Sequence, residues 1–201
     1  MKRPFYLLLI PMFGIAACTP DVDSLTNSSF SAPDASGNYS SSLTSTRSGK
    51  DVDATGNGYG YIVGIRDGNS FQGYAGIIPG STVTAPPATG LATMTGTYEV
   101  VRIRDISLDG NHLTGTPVYA VSAPVTLVAN FGAGTLKGAS TGPNPLLTVD
   151  GTFSGQTLGG SVVYRGVSGS LTGLVGSDRA IGAFHGNNAT DIYAGGFYVT
   201  D

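Results

Sequence analysis

Several residue types are scarce in this chain of 201 residues, and each shortage excludes a class of site. The one cysteine rules out an internal disulfide and a zinc centre built from several thiolates. Two histidines at unsuitable spacing predict no metal site. Charged residues make up only 11% and the basic ones are scattered, which argues against a nucleic-acid binder. Phosphate-loop, dinucleotide and nucleophile-elbow motifs are missing from the sequence, so we predict no enzyme.

No apolar run is long enough for a comfortable transmembrane helix, which needs about 20 residues. The mostly apolar run at 5–17 follows Lys2 and Arg3 and ends in Ile15-Ala16-Ala17-Cys18. This order is typical of a bacterial lipoprotein signal peptide, which predicts cleavage after residue 17 and lipidation of Cys18 with diacylglyceryl and palmitoyl chains. An ordinary cleavable signal peptide with a chance cysteine is the alternative.

A lipidated Cys18 anchors the mature chain to a membrane, because each buried acyl CH₂ contributes about 0.8 kcal/mol. Thr19 stands where inner-membrane lipoproteins often carry Asp, which favours the outer membrane. Without Lys2 and Arg3, eight of the ten basic residues remain against 13 acidic ones, so the mature net charge is −5. We predict partners at the membrane rather than nucleic acid.

The rest of the chain divides by composition into a linker, a hairpin with its connector, and a larger domain. Residues 18–57 are rich in Ser, Thr, Asn, Asp and Gly, so we predict a flexible linker, a disordered leash. Residues 58–90 begin with two aromatic and β-branched runs joined by Arg66-Asp67-Gly68-Asn69, which predicts a β-hairpin followed by a Pro- and Gly-rich connector. Residues 91–201 form the third region.

The third region carries eight segments with strand-like patterning. They alternate apolar and polar residues, and most are joined by short turns rich in Gly, Asn and Ser. We therefore predict an all-β fold, a small eight-stranded antiparallel up-and-down β-barrel, with a β-sandwich as the alternative. A long loop is expected over 105–124. The predicted strands are 92–104, 125–131, 135–139, 146–153, 160–165, 169–176, 180–185 and 192–199.

Four glycine-rich patterns in this region resemble the barrel hairpins of transferrin-binding-protein-B-like surface lipoproteins. They occur in the order of that family, after a lipobox and a leash. The letters are NFGAGTLKG at 130–138, VDGTFSG at 149–155, GSLTGLVG with GAFHGNNAT at 169–176 and 182–190, and AGGF at 194–197. The resemblance implies an eight-stranded barrel with a reduced N-terminal handle, display on an outer membrane, and binding rather than catalysis. Relatives bind transferrin, complement regulators, haemoglobin or haem.

Four side chains are candidate ligand-binding residues. His185 lies near a strand end and is interpreted either as an axial haem ligand, with Tyr193 or Tyr198 as second ligand or stacking partner, or as a rim residue hydrogen-bonded to a turn. His112 lies in the predicted loop and is the other histidine. No cofactor is predicted, and haem is the one considered.

Three functions fit these observations. The first is a surface lipoprotein that binds a protein or a haem-type ligand through barrel-end loops, chiefly 105–124, and the N-terminal hairpin. The second is a structural, envelope-interacting lipoprotein without a soluble ligand. The third is a lipocalin-like carrier, which the large inward residues Leu127, Phe131, Val149 and Phe153 disfavour because they predict a filled barrel.

Overall fold

A computed structural model describes residues 25–110, 112–142 and 146–201. The described chain is all-β and contains no α-helix, and therefore none that is long and apolar enough to cross a membrane. Its twelve strands are β1 Thr26–Phe30, β2 Thr44–Val52, β3 Gly58–Arg66, β4 Ser70–Ile77, β5 Leu91–Asp109, β6 His112–Asn130, β7 Thr135–Ser140, β8 Leu147–Ser154, β9 Thr157–Tyr164, β10 Val167–Val175, β11 Arg179–Asn187 and β12 Ile192–Thr200.

Strands β5 to β12 form a closed antiparallel barrel in which each strand pairs with its neighbours in sequence. The circle closes where β12 pairs with β5, from Ile192 opposite Ile103 to Thr200 opposite Thr95. The predicted eight-stranded barrel is therefore confirmed. Closure satisfies the backbone groups that an open sheet would leave at its two edges.

The barrel interior is filled by its own side chains. Leu127 and Val149 are buried there as predicted, and Phe131 and Phe153 pack against them at one end. The largest interior residues are aromatic: Tyr98, Tyr164, Tyr193, Phe184 and Phe197. Glycines make room for these rings, since a Cβ on Gly182 would lie 2.3 Å from the ring of Phe197. The centre of the barrel is therefore occupied by protein side chains.

The first four strands form a separate sheet in the order β1-β4-β3-β2, here called the N-terminal sheet. The predicted hairpin is present as β3 and β4 with its turn at Asp67 and Gly68. The predicted flexible linker is wrong over 25–57, because this segment contains β1 and β2. Both strands are polar on their exposed outer faces, so their sequences lack the apolar alternation that marks a strand. Strands β1 and β2 are held in place by pairing with the apolar strands β4 and β3, respectively.

The N-terminal sheet packs against the barrel wall formed by β11, β12 and β5, and the two enclose a second hydrophobic core. Tyr59, Tyr61 and Phe71 of the sheet lie in this core. Ile181 and Ala183, which share one face of β11, belong to it as well. The sheet is thus one structural unit with the barrel.

The segment predicted as a long loop, 105–124, is instead a β-hairpin formed by extensions of β5 and β6. The two strands pair to Asp109 opposite His112, with irregular register after Val100 and after Arg104. The extension is ordered because Ile106 is buried in the second core and Leu108 and Leu113 pack against it. Gly115 allows the hairpin to lie directly on Phe71.

The body has two distinct ends. The hairpin end carries the β5–β6 hairpin, the β3–β4 turn, the β11–β12 turn and the start of β1. The connector end carries the β2–β3, β6–β7, β8–β9 and β10–β11 turns and the connector 78–90, which is fixed there by Gln156 Nε2 donating to the carbonyl of Val83 (2.6 Å).

Candidate functional site

His185 lies on β11, on the outer face of the barrel wall, and is covered by β1. Its side chain is only 8% exposed. The ring of Phe30 packs against it edge-on, with the two ring centroids 4.4 Å apart. Burial lowers the pKa of His185 to about 4, so the imidazole is neutral at neutral pH.

The hydrogen bonds around His185 determine which ring nitrogen carries the proton. Asn187 donates through Nδ2 to Oγ1 of Thr26 (3.1 Å), which leaves its Oδ1 to accept from Oγ of Ser28 (2.7 Å). Ser28 Oγ then accepts from Nδ1 of His185 (2.8 Å). The neutral ring is therefore protonated on Nδ1. This chain of hydrogen bonds ties β1 to the barrel, a role that resembles the predicted rim residue more than a haem ligand.

The structure does not bring the four candidate ligand residues to one site. Tyr193 points into the barrel, where it is fully buried and donates to the carbonyl of Val167 (3.1 Å), on the opposite face of the wall from His185. Tyr198 is on the outer face but toward the connector end, opposite Ile181 in the β11–β12 register. His112 is exposed at the first residue of β6. His185 and Tyr193 therefore lie on opposite faces of the wall, and the haem interpretation of His185 stays a prediction.

Tyr198 belongs to a polar junction between the N-terminal sheet and the barrel. It donates to Oδ2 of Asp53 (2.8 Å), and Arg179 Nη1 donates to the same oxygen (3.0 Å). Burial raises the pKa of the Asp53 carboxyl, but hydrogen bonds from Thr55, Tyr198 and Asn57 outweigh it and hold the pKa well below the usual value. With its acceptors satisfied by protein groups, this junction holds the body together rather than presenting free ligating atoms.

A different feature is open to a partner: the outer edge of β6 over 118–123, here called the β6 edge. No strand of the described chain pairs with it, since β7 begins its pairing with β6 at Val125. Pro117 and Pro124 bound the edge and limit strand pairing on either side. The six residues between them, VYAVSA, contain no charged side chain.

Tyr119 is the most exposed large apolar side chain of the β6 edge, at 80%. The guanidinium carbon of Arg47, on β2, lies 5.5 Å from its ring centroid, which orients the ring through a cation–π contact. Exposed aromatic rings that are held in place are typical anchors of protein interfaces. The β6 edge with Tyr119 is therefore the candidate binding surface.

The predicted loop 105–124 overlaps the β6 edge, but Tyr119 was not among the predicted site residues. Val118-Tyr119-Ala120-Val121 is a β-branched and aromatic run, which indicates a strand. Asp109-Gly110 is a typical hairpin turn sequence, so the sequence contained a signal for both the strand and the turn. The prolines at 117 and 124 obscured the strand pattern.

Two further predictions, the missing metal site and the lipidation of Cys18, stay predictions. Within the described ranges, no three His, Cys, Asp or Glu side chains are grouped to hold a metal ion. Cys18 and the whole predicted signal peptide lie outside the described residues, so lipidation stays a prediction.

Comparison with known proteins gives structural relatives only. No protein-family model matches the sequence, and no curated protein matches it. The fold is similar to the crystal structure of a surface lipoprotein, with a TM-score of 0.50 and 14% identity over 76% of this chain and 81% of that chain. A variant of transferrin-binding protein B from Actinobacillus pleuropneumoniae H49 aligns with a TM-score of 0.47 and 16% identity over 79% of this chain and 78% of that chain.

The haemoglobin receptor HpuA from Kingella denitrificans, in complex with human haemoglobin, aligns with a TM-score of 0.40 and 16% identity over 71% of this chain and 54% of that chain. The similarity to the surface lipoprotein supports the fold that the resemblance implied. At this level of identity the comparison concerns the architecture alone.

Proposed function

We propose that this protein is a lipid-anchored protein of the outer membrane, displayed at the cell surface, whose rigid body binds a protein partner through the β6 edge. The lipobox at Ile15-Ala16-Ala17-Cys18 supports the anchor, and Thr19 supports the outer membrane. The surface lipoprotein with a similar fold supports display.

The unpaired β6 edge is the observation that carries the binding proposal. Six residues at about 3.3 Å each give an edge of about 20 Å, the length of a typical strand. An extended segment of a partner can add to such an edge through main-chain hydrogen bonds, while Tyr119 supplies side-chain contact. Because the edge carries no charge, we propose an uncharged extended segment as the pairing element.

A protein partner fits the structure better than haem or a small apolar molecule. His185 is buried beneath Phe30 and hydrogen-bonded to Ser28, so haem binding there requires β1 to leave the barrel. The barrel interior is filled by aromatic and aliphatic side chains, which opposes the lipocalin-like carrier.

Haemoglobin and transferrin, the proteins named with the structural relatives, are the first probes. Intact cells that produce the full chain are titrated with each labelled protein, beside cells producing Tyr119→Ala or Leu91→Ala. Leu91 is the matched control, an exposed apolar residue (71%) at the connector end. We expect saturable binding that Tyr119→Ala weakens about tenfold or more and Leu91→Ala leaves unchanged. Equal losses in both variants would contradict the β6 edge, and no binding of either probe would favour the structural, envelope-interacting role.

A further inference from the structure

The start of β1 fixes where the predicted anchor joins the body. Oγ1 of Thr26 donates to the carbonyl of Asn188 (2.8 Å), and Ser28 contacts Asn187 at the end of β11. Both partners lie at the β11–β12 turn, so the chain enters the body at the hairpin end and runs along β1 toward the connector end.

The β5–β6 hairpin extends from this same end. Ile106 N donates to the carbonyl of Thr190 (3.0 Å), in the turn that also receives Thr26. The last β5 residue paired with β12 is Ile103, and six more residues follow to Asp109. At about 3.3 Å per residue the hairpin extends up to about 20 Å beyond the barrel.

The lipid attachment site lies close to this end in sequence. Only six residues lie between Cys18 and Leu25, so the seven Cα-to-Cα steps span at most about 25 Å when fully extended. We infer that the hairpin end faces the membrane and that the tip of the β5–β6 hairpin rests on the lipid headgroups. This inference depends on the proposed lipid anchor at Cys18.

The opposite orientation is costly. The barrel strands β10, β11 and β12 are nine residues long, and at a tilt of about 40° they span about 23 Å along the barrel axis. With the connector end on the membrane, the tether from Leu25 would have to run almost fully extended along that whole height. With the hairpin end on the membrane, the tether of at most about 25 Å only has to span the protrusion of the hairpin, which is up to about 20 Å.

The chemistry of the tip suits contact with headgroups without insertion. Leu108 and Leu113 pack inward on the second core, whereas Asp109 is exposed. Two exposed basic residues near the tip are paired with carboxylates, Arg104 with Asp105 (3.2 Å) and Arg66 with Asp67 in the β3–β4 turn (3.7 Å). The tip therefore presents no net positive patch, and its contact with the membrane is independent of anionic lipid.

This orientation keeps the β6 edge accessible. Tyr119 is seven residues from His112 at the tip, or about 23 Å along the strand. A partner would thus reach the edge from the side, above the membrane surface.

Single cysteines test the orientation, because a lipidated Cys18 leaves no other thiol. The full lipoprotein is reconstituted into vesicles of zwitterionic phospholipid containing spin-labelled headgroups, with an environment-sensitive dye at Asp109→Cys, Ala133→Cys or Ser161→Cys. Asp109 is at the hairpin tip, Ala133 in the β6–β7 turn at the connector end, and Ser161 on the side of the barrel. We expect quenching of the Asp109 label alone, unchanged by added salt. Stronger quenching at Ala133 or Ser161, or equal quenching at all three, would overturn the inference.

Two controls separate this inference from the anchor itself. Incorporation of radiolabelled palmitate reports lipidation directly, and Cys18→Ser in the Asp109→Cys background must abolish both palmitate incorporation and quenching. Palmitate incorporation with no quenching at Asp109 leaves the anchor in place and overturns the orientation. No palmitate incorporation overturns both.

Discussion

Ser28, His185 and Asn187 join β1 to the barrel through side-chain hydrogen bonds. The three side chains form a hydrogen-bond chain in which each acceptor has one defined donor. A neutral, Nδ1-protonated His185 satisfies Ser28, whereas a charged ring would sit buried beside Phe30 with no carboxylate partner on the described residues around it. At this scale the histidine is a structural residue that joins β1 to the barrel.

The titration of His185 gives the first prediction. Its pKa in the folded protein, about 4, lies below the usual value of 6.5, so the unfolded chain takes up the proton first as pH falls. The free energy of unfolding is unaffected above about pH 7 and falls between about pH 6.5 and pH 4, by about 3 kcal/mol in total. Urea unfolding at pH 7.5 and 4.5 measures this change.

His185→Gln removes the titrating group and should reduce that pH dependence, whereas His112→Gln, at the exposed histidine, should keep it. If His185→Gln and the unmodified protein lose the same stability between the two pH values, His185 is not buried as described.

At the scale of elements, apolar alternation made most barrel strands predictable, whereas the polar strands β1 and β2 were not predicted. The odd-numbered residues of 125–131 are all apolar, and the structure places residues 125–130 at the end of β6 with 125, 127 and 129 buried. Strand β2 reads TSTRSGKDV and has no apolar face, since its outer face is exposed to solvent. Backbone pairing with β3 holds it in the sheet. Tyr119 was missed for a related reason, since it lies in a β-hairpin whose structure depends on contacts of Ile106 and Gly115 with residues far away in sequence.

The β5–β6 hairpin contains a backbone position that favours particular residues. Asp105 has a φ of 56° at the irregularity between Arg104 and Ser107. Asp tolerates this left-handed conformation, but a β-branched residue does not. We expect Asp105→Val to lower the free energy of unfolding by about 1 kcal/mol or more, and Asp105→Gly to be nearly neutral.

Ser107→Val is the matched control for that prediction, since Ser107 is also exposed on β5 and has no positive φ. Valine at 107 should be tolerated, because β-branched residues favour strands. Equal losses at 105 and 107, measured by urea unfolding, would mean that the hairpin has a different register.

At the scale of the whole molecule, two cores share one barrel wall. The inner face of β11 and β12 closes the barrel core, and their outer face closes the second core beneath the N-terminal sheet. The sheet lies close against β12 at Gly196, since a Cβ there would lie 2.2 Å from the ring of Tyr59. Side chains are excluded at this point so that the sheet and barrel can pack as one body.

Gly196→Ala should therefore destabilise the protein by about 1–3 kcal/mol, because the fully buried Tyr59 has no free space to move into. Gly159→Ala is the control, a strand glycine with nothing within 4 Å of the added Cβ. It should be neutral or slightly stabilising. Thermal unfolding of both variants compares them, and similar losses would argue against the close contact between sheet and barrel.

The central claim is that the β6 edge is the surface that meets a protein partner. Photo-cross-linking on intact cells tests it most directly, with a benzoyl-phenylalanine replacing Tyr119 and, as control, Ser161 on the exposed outer side of β9. We predict that position 119 cross-links to one discrete second protein and that position 161 does not. No product at 119, or the same products from both positions, would contradict the claim.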